Sequence, residues 1–165
     1  MNPRSQLPDL TFGHTAGTGL RHILAFHCAQ SGAAYAALLE ESGFLYADAG
    51  DESLRDHGET AALAVGAWHA TRELARRLGE SGFNSVAQEG RDRHFLISPV
   101  DERFLLLTVY RNDTKLALVR ATAIKAAPAL REALADGAEP DITPVRSGGL
   151  DGDLRCTTEA FLAAV

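Results

Sequence analysis

The chain is poor in the residues that staple or anchor a protein. It has two cysteines, Cys28 and Cys156, far apart and in no paired spacing, so a disulfide framework cannot organise the fold. Long hydrophobic runs are missing as well. No stretch approaches the roughly 20 apolar residues that cross a bilayer. Residues 1–10 are mostly polar and carry prolines where a secretion signal would place an apolar segment. Reduced thiols in the cytoplasm are therefore expected. Nor is there a basic stripe: the net charge is −6 and the two signs are interspersed, which disfavours a phosphate backbone as partner.

Catalytic signatures are also lacking. The glycine-rich segment 13–19 precedes a helix, but no strand comes before it and it does not end in Gly-Lys-Ser/Thr, as a phosphate loop does. His22 and His27 lie five apart with Cys28 adjacent, whereas ligands sharing a helical face are three or four apart. No serine sits in a Gly-x-Ser-x-Gly elbow. Glu40 and Glu41 are neighbours, which in a strand point to opposite faces and cannot act as an acid–base pair. The expectation is a protein with no active site of its own, no metal and no cofactor.

What the chain does have is periodicity. At 165 residues, 45% hydrophobic and 23% charged, it suits one ordinary domain with one core. Residues 1–19 read as a flexible leader, 20–135 as the domain, and 136–165 as a Gly/Pro-containing tail ending in a short apolar piece. Leu20, Ile23, Leu24, His27 and Cys28 share one helical face, and Ser31-Gly32 stops that helix. Apolar runs at 33–39 and 44–47 around a polar, Gly-containing turn predict a hairpin ending at 48–51. A long helix is expected over 58–79, with Leu63, Ala67, Ala70, Leu74 and Leu78 as its stripe.

Strands are predicted at 83–89, 93–98 and 103–110. A last helix is predicted from Asp113-Thr114 to about 134, with a kink or break before Pro128. The order α-β-β-α-β-β-β-α with hairpin connections gives a five-stranded, mostly antiparallel sheet. Runs 33–39 and 104–107 are apolar at consecutive positions, so both strands should be central and covered on both faces. The expected architecture is an α/β fold, a three-layer α/β/α sandwich.

Residues 37–50, Ala-Leu-Leu-Glu-Glu-Ser-Gly-Phe-Leu-Tyr-Ala-Asp-Ala-Gly, resemble the first hairpin of the roadblock/dynein light chain family. An Ala-rich long helix ending Leu78-Gly79 follows in the same order. Then come Glu89-Gly90 before a strand, Phe104-Leu105-Leu106-Leu107, and Leu116-Ala117-Leu118-Val119-Arg120 leading into the last helix. Ala117 departs from the family's usual glycine. The series, over residues 20–134, looks most like the bacterial MglB-like subgroup of polarity regulators, which act on a small Ras-like GTPase.

The resemblance implies a profilin-like roadblock fold that pairs through the long helix and the neighbouring strand. It implies a homodimer that binds and regulates a Ras-like GTPase, as a GTPase-activating protein in cell polarity or motility. The alternative is a roadblock scaffold that binds another protein without affecting GTP turnover. The unbroken apolar stretch 61–68 supports pairing independently, because a helix apolar all round is covered on two sides. Ala61, Ala64, Val65, Trp68, Phe83 and Val86 are the candidate dimer contacts. His69, Arg72, Glu73 and Arg76, where the helix turns polar, are candidate GTPase contacts, joined by Phe161 and Leu162 of the tail. If an arginine were donated to the GTPase, Arg91 or Arg93 would supply it. The subgroup instead implies repositioning of the GTPase's own catalytic groups.

Overall fold

Why these residues fold as they do starts with the two strands that are apolar at every position. The computed structural model describes residues 19–55, 58–82, 84–138 and 140. In it, strand β1 (Tyr35–Glu40) pairs antiparallel with β2 (Leu45–Gly50) on one side and with β5 (Phe104–Arg111) on the other. Strand β4 (Arg93–Pro99) follows β5, and the short β3 (Val86–Glu89) closes the far edge, giving the order β2-β1-β5-β4-β3. Both β1 and β5 are buried along almost their whole length. The expected antiparallel sheet with these two strands inside it is therefore what forms.

Alternation along the central strands divides the core into two. Ala36 and Leu38 of β1, Leu96 of β4, and Leu106 and Tyr110 of β5 face helices α1 (Gly19–Ser31) and α3 (Leu116–Ala135). Tyr35, Ala37, Leu39, Ile97, Leu105 and Leu107 face the single helix α2 (Glu59–Arg77). The result is the α/β/α sandwich, with two helices on one face and one on the other.

The first helix follows its pattern: Leu20, Ile23, Leu24, His27 and Cys28 are all buried. Elsewhere the structure departs from expectation. Strand β2 continues through Asp48 to Gly50, because Asp48 is buried and ion-paired and does not behave as a turn residue. The edge strand begins only at Val86, and Phe83 lies outside the described residues. Helix α3 starts at Leu116 and runs through Pro128 as one element, without the expected break. Pro128 and Ile124, one turn before it, both lie on the exposed side, so the carbonyl that proline leaves unbonded can be met by water.

The largest departure is in α2. The buried stripe is Ala61, Ala64, Val65 and Trp68, not Leu63, Ala67, Ala70, Leu74 and Leu78. Leu63, Leu74 and Leu78 are 74%, 56% and 75% exposed. Both stripes have helical spacing, and the bulk of Trp68 fills the space over the sheet that no leucine of the other stripe would fill as well.

Three polar features are built into this frame. The His27 ring donates or accepts through Nε2 with Thr108 Oγ1 at 2.9 Å, inside the core between α1 and β5. Asp48 is held by the Tyr35 hydroxyl at 3.1 Å and by Arg55 Nε at 2.6 Å, with Arg21 at 3.7 Å. This group ties the segment after β2 back onto the sheet edge. Gly50 has φ +112°, and an added Cβ would run into the Ala34 carbonyl oxygen and stand 2.8 Å from Tyr35 Cα. Only glycine fits there.

Replacing Gly50 by alanine is expected to cost more than about 2 kcal/mol, since strain and overlap add; a shift of the urea midpoint measures it. Burial pushes the His27 pKa down to about 4, against a smaller opposing contact with the Thr122 backbone. The unfolded chain therefore binds this proton more readily. The stability that neutral His27 permits is complete above pH ~6.5 and drains away as pH falls toward ~4, by ~2–3 kcal/mol. Urea titrations at neutral pH and near pH 4.5 should show His27→Gln, which keeps a partner for Thr108, losing less stability than the parent by about that amount.

Candidate protein-interaction surface

Helix α2 presents three faces, each with its own chemistry. Ala61, Ala64, Val65 and Trp68 make the inward face and pack on β1, β4 and β5. Nearly opposite, at 3.6 residues per turn, lie Leu63, Gly66, Ala67, Ala70, Leu74 and Leu78. All six are exposed. Their sequence of small residues at the centre and leucines at the ends makes a continuous apolar strip on the outside of the molecule. Strips of this kind on a folded surface mark contact sites. Among the described residues strand β3 lies at the sheet edge and pairs with β4 alone, the position at which a further strand can add.

A quarter turn from the inward face, the C-terminal half of α2 borders a groove of about 730 Å³. Trp68 and Leu105 line its floor, with Pro99, while His69, Arg72, Glu73, Arg76 and Glu80 come from α2 and the segment after it. The opposite lips are Glu41, in the β1–β2 turn, and Asp101 and Glu102, in the β4–β5 turn. Helix α2 thus crosses the end of the sheet where these two turns meet.

The groove's cations are already engaged. Arg72 reaches Glu41 at 3.1 Å and His69 Nδ1 at 3.0 Å. Arg76 donates twice to Glu73 at 2.8 Å, and Arg77 adds a third bond at 2.8 Å. These bonds hold the Glu73 carboxyl below the usual carboxylate range. On the neighbouring turn, Arg103 and Ser42 do the same to Glu40, Arg103 bonding it at 2.8 Å. Such exposed pairs add little to stability; they arrange charge on a surface.

The four candidate GTPase contacts on α2, His69, Arg72, Glu73 and Arg76, are thus brought to one groove. The candidate dimer contacts are not brought to one surface. Ala61, Ala64, Val65 and Trp68 are 3%, 8%, 5% and 3% exposed and are spent on the chain's own core, which leaves them no area for a partner. Val86 is half-buried at the sheet edge. Phe83, Phe161 and Leu162 lie outside the described residues. Arg91 and Arg93 are exposed at the β3–β4 turn, at the end of the strands opposite to the groove.

Two sets of residues were missed as site residues. The outer strip of α2 is visible in the sequence as a periodic apolar stripe, which by itself does not say that it faces outward. Glu41, Asp101 and Glu102 gave no signal, being turn acids some sixty residues apart that only folding brings to one rim. His22 points outward and His27 inward, so the two do not converge. Among the described residues no group of three His, Cys, Asp or Glu side chains is placed to hold a metal ion, and no helix is long and apolar enough to cross a membrane.

An antiparallel five-stranded sheet with the two terminal helices on one face and one long helix on the other defines a roadblock-type, profilin-like domain. The Roadblock/LC7 domain family matches residues 28–110, and the chain belongs to that family. Among solved structures it is similar to MglB of Myxococcus xanthus, with 26% identity and a TM-score of 0.67 over 72% of this chain and 97% of that one. The gliding protein MglB of Thermus thermophilus is similar at 24% identity, with a TM-score of 0.65 over 79% of this chain and 99% of that one. A Roadblock/LC7 domain from Streptomyces avermitilis shares the fold at 18% identity, with a TM-score of 0.61 over 70% and 98% of the two chains. A comparison with curated proteins finds no match.

Proposed function

We propose that the chain is a homodimer that binds and regulates a small Ras-like GTPase, as an activator without an active site of its own. The observation that carries this is the outer strip of α2. A helix already buried on one side by Trp68 and its neighbours still exposes Leu63, Leu74 and Leu78 on the other. A second copy of the same strip, packed antiparallel, would cover it, with Gly66, Ala67 and Ala70 permitting close approach at the centre. Antiparallel pairing would also bring the acidic first turn, Glu59, near the basic last turn, Arg76 and Arg77, of the other helix. The neighbouring β3 edge would add strand pairing to the same contact.

The GTPase enters through the likeness to MglB, at 26% identity over most of the Myxococcus xanthus chain, together with the motif series that resembles the MglB-like subgroup. His69, Arg72, Glu73 and Arg76 form one charged platform beside the strip and suit a polar partner surface, where charge sets register and encounter rate. Arg91 and Arg93 stand at the other end of the sheet, and Arg72 and Arg76 of the platform are engaged by Glu41 and Glu73, which supports repositioning of the GTPase's own groups over a donated arginine. A cytoplasmic place and a role in polarity or motility come with the same resemblance. The MglB of Thermus thermophilus is described as a gliding protein.

Light scattering during size exclusion should return about twice the 17.6 kDa chain mass. Ala67→Arg, on the exposed strip, should give a monomer with unchanged circular dichroism; a dimer surviving this change would refute the helix contact. Trp68→Ala should instead lower stability by ~3–5 kcal/mol, as for other buried aromatics. In GTP hydrolysis assays with a candidate Ras-like GTPase, Arg72→Glu should reduce stimulation at least about tenfold, or ~1.4 kcal/mol. Arg91→Ala and Arg93→Ala should leave it unchanged; loss of stimulation in either, with binding intact, would show a donated arginine. Binding with no effect on hydrolysis would make the protein a scaffold.

A further inference from the structure

The groove beside α2 has a sign. Its rim carries five carboxylates, Glu41, Glu73, Glu80, Asp101 and Glu102, against the two guanidiniums of Arg72 and Arg76. Both cations are occupied by Glu41 and Glu73, and the nearby Arg77 and Arg103 by Glu73 and Glu40. Asp101 accepts from the Arg103 and Phe104 backbone N–H groups through Oδ1, which fixes its carboxylate at the lip. The charge left over is negative, and it surrounds a floor of Trp68, Leu105 and Pro99.

We infer that this groove receives a cationic segment of a partner protein, whose lysine or arginine side chains face the acidic rim. The segment lies over the exposed Pro99 beside the edge of Trp68, and its cations meet Glu80 and Glu102, the two rim acids whose side chains have no partner among the described residues. Charge selects among occupants. The chain's own last residues, 149–165, carry Asp151, Asp153 and Glu159 against Arg155, the wrong sign for this rim. A second copy of the chain is directed to the outer strip, on a different face of α2. The inference deepens the reading of the platform as a GTPase contact and rests on it only for the identity of the partner.

Trp68 is the one tryptophan of the chain and lines the groove, so its fluorescence reports occupancy directly. The probe is a short capped peptide alternating lysine with leucine and phenylalanine, titrated into the full-length protein. Its counterpart has glutamate for lysine. The lysine peptide should give a saturable change in emission, with affinity at least about tenfold above its counterpart and falling several-fold between about 50 and 300 mM salt. The double variant Glu80→Lys/Glu102→Lys should weaken it at least fivefold or so more than Asp92→Lys/Glu132→Lys, which makes the same change in net charge away from the groove.

Equal weakening by the two double variants, equal affinity for the two peptides, or no change in Trp68 emission would each overturn the inference. The titration contains no GTPase. A peptide that binds as expected to a protein that captures no GTPase would therefore count against the GTPase reading and support the groove. A GTPase captured in the absence of any peptide response would do the reverse.

Discussion

Everything in this molecule depends on the β1–β5 pair being apolar on both faces. Tyr35, Ala37 and Leu39 alternate with Ala36 and Leu38, and Leu105 and Leu107 alternate with Leu106. A ladder that is apolar on two sides is stable in water only when both sides are covered. Two helices, α1 and α3, cover one. Among the described residues the other side falls to one helix, α2, whose outer face stays exposed.

That arrangement explains why α2 is the informative element. Its inner stripe is small except for Trp68, the one large side chain that this face sets on the sheet. Its outer strip is equally apolar but lies over water. Its third side turns polar as the helix passes the β1–β2 and β4–β5 turns, where Glu41, Asp101 and Glu102 come within reach of Arg72 and its neighbours. Core, contact strip and charged groove are thus three faces of one nineteen-residue helix. The element that holds the sheet together therefore also carries the two exposed surfaces, strip and groove, on that side of the sheet.

The polar groups buried elsewhere brace this frame and stand apart from the contact surfaces. His27 and Thr108 fasten α1 to β5, and Asp48 fastens Arg55 and Tyr35 at the opposite edge. Both are places where a hydrogen-bonded pair fixes the position of an element that apolar packing alone would let slide.

The element order, the antiparallel sheet, the two inner strands and the buried face of α1 are all legible in the sequence. Each of these follows from a local signal, a helical period, an unbroken apolar run or a turn between two runs, that needs no knowledge of distant neighbours. The sequence also marked α2 as apolar on more than one side and His69, Arg72, Glu73 and Arg76 as the point where it turns polar. It could not say which stripe of α2 faces inward, because 61-64-65-68 and 63-67-70-74 satisfy the same period and differ only in how their volumes fit the sheet. Nor could it place Phe44-side turn acids such as Glu41 opposite Asp101, since charges brought together across some sixty residues leave no local trace. Both depend on long-range packing, on the shape of the space beneath Trp68 and on the meeting of two turns at one end of the sheet.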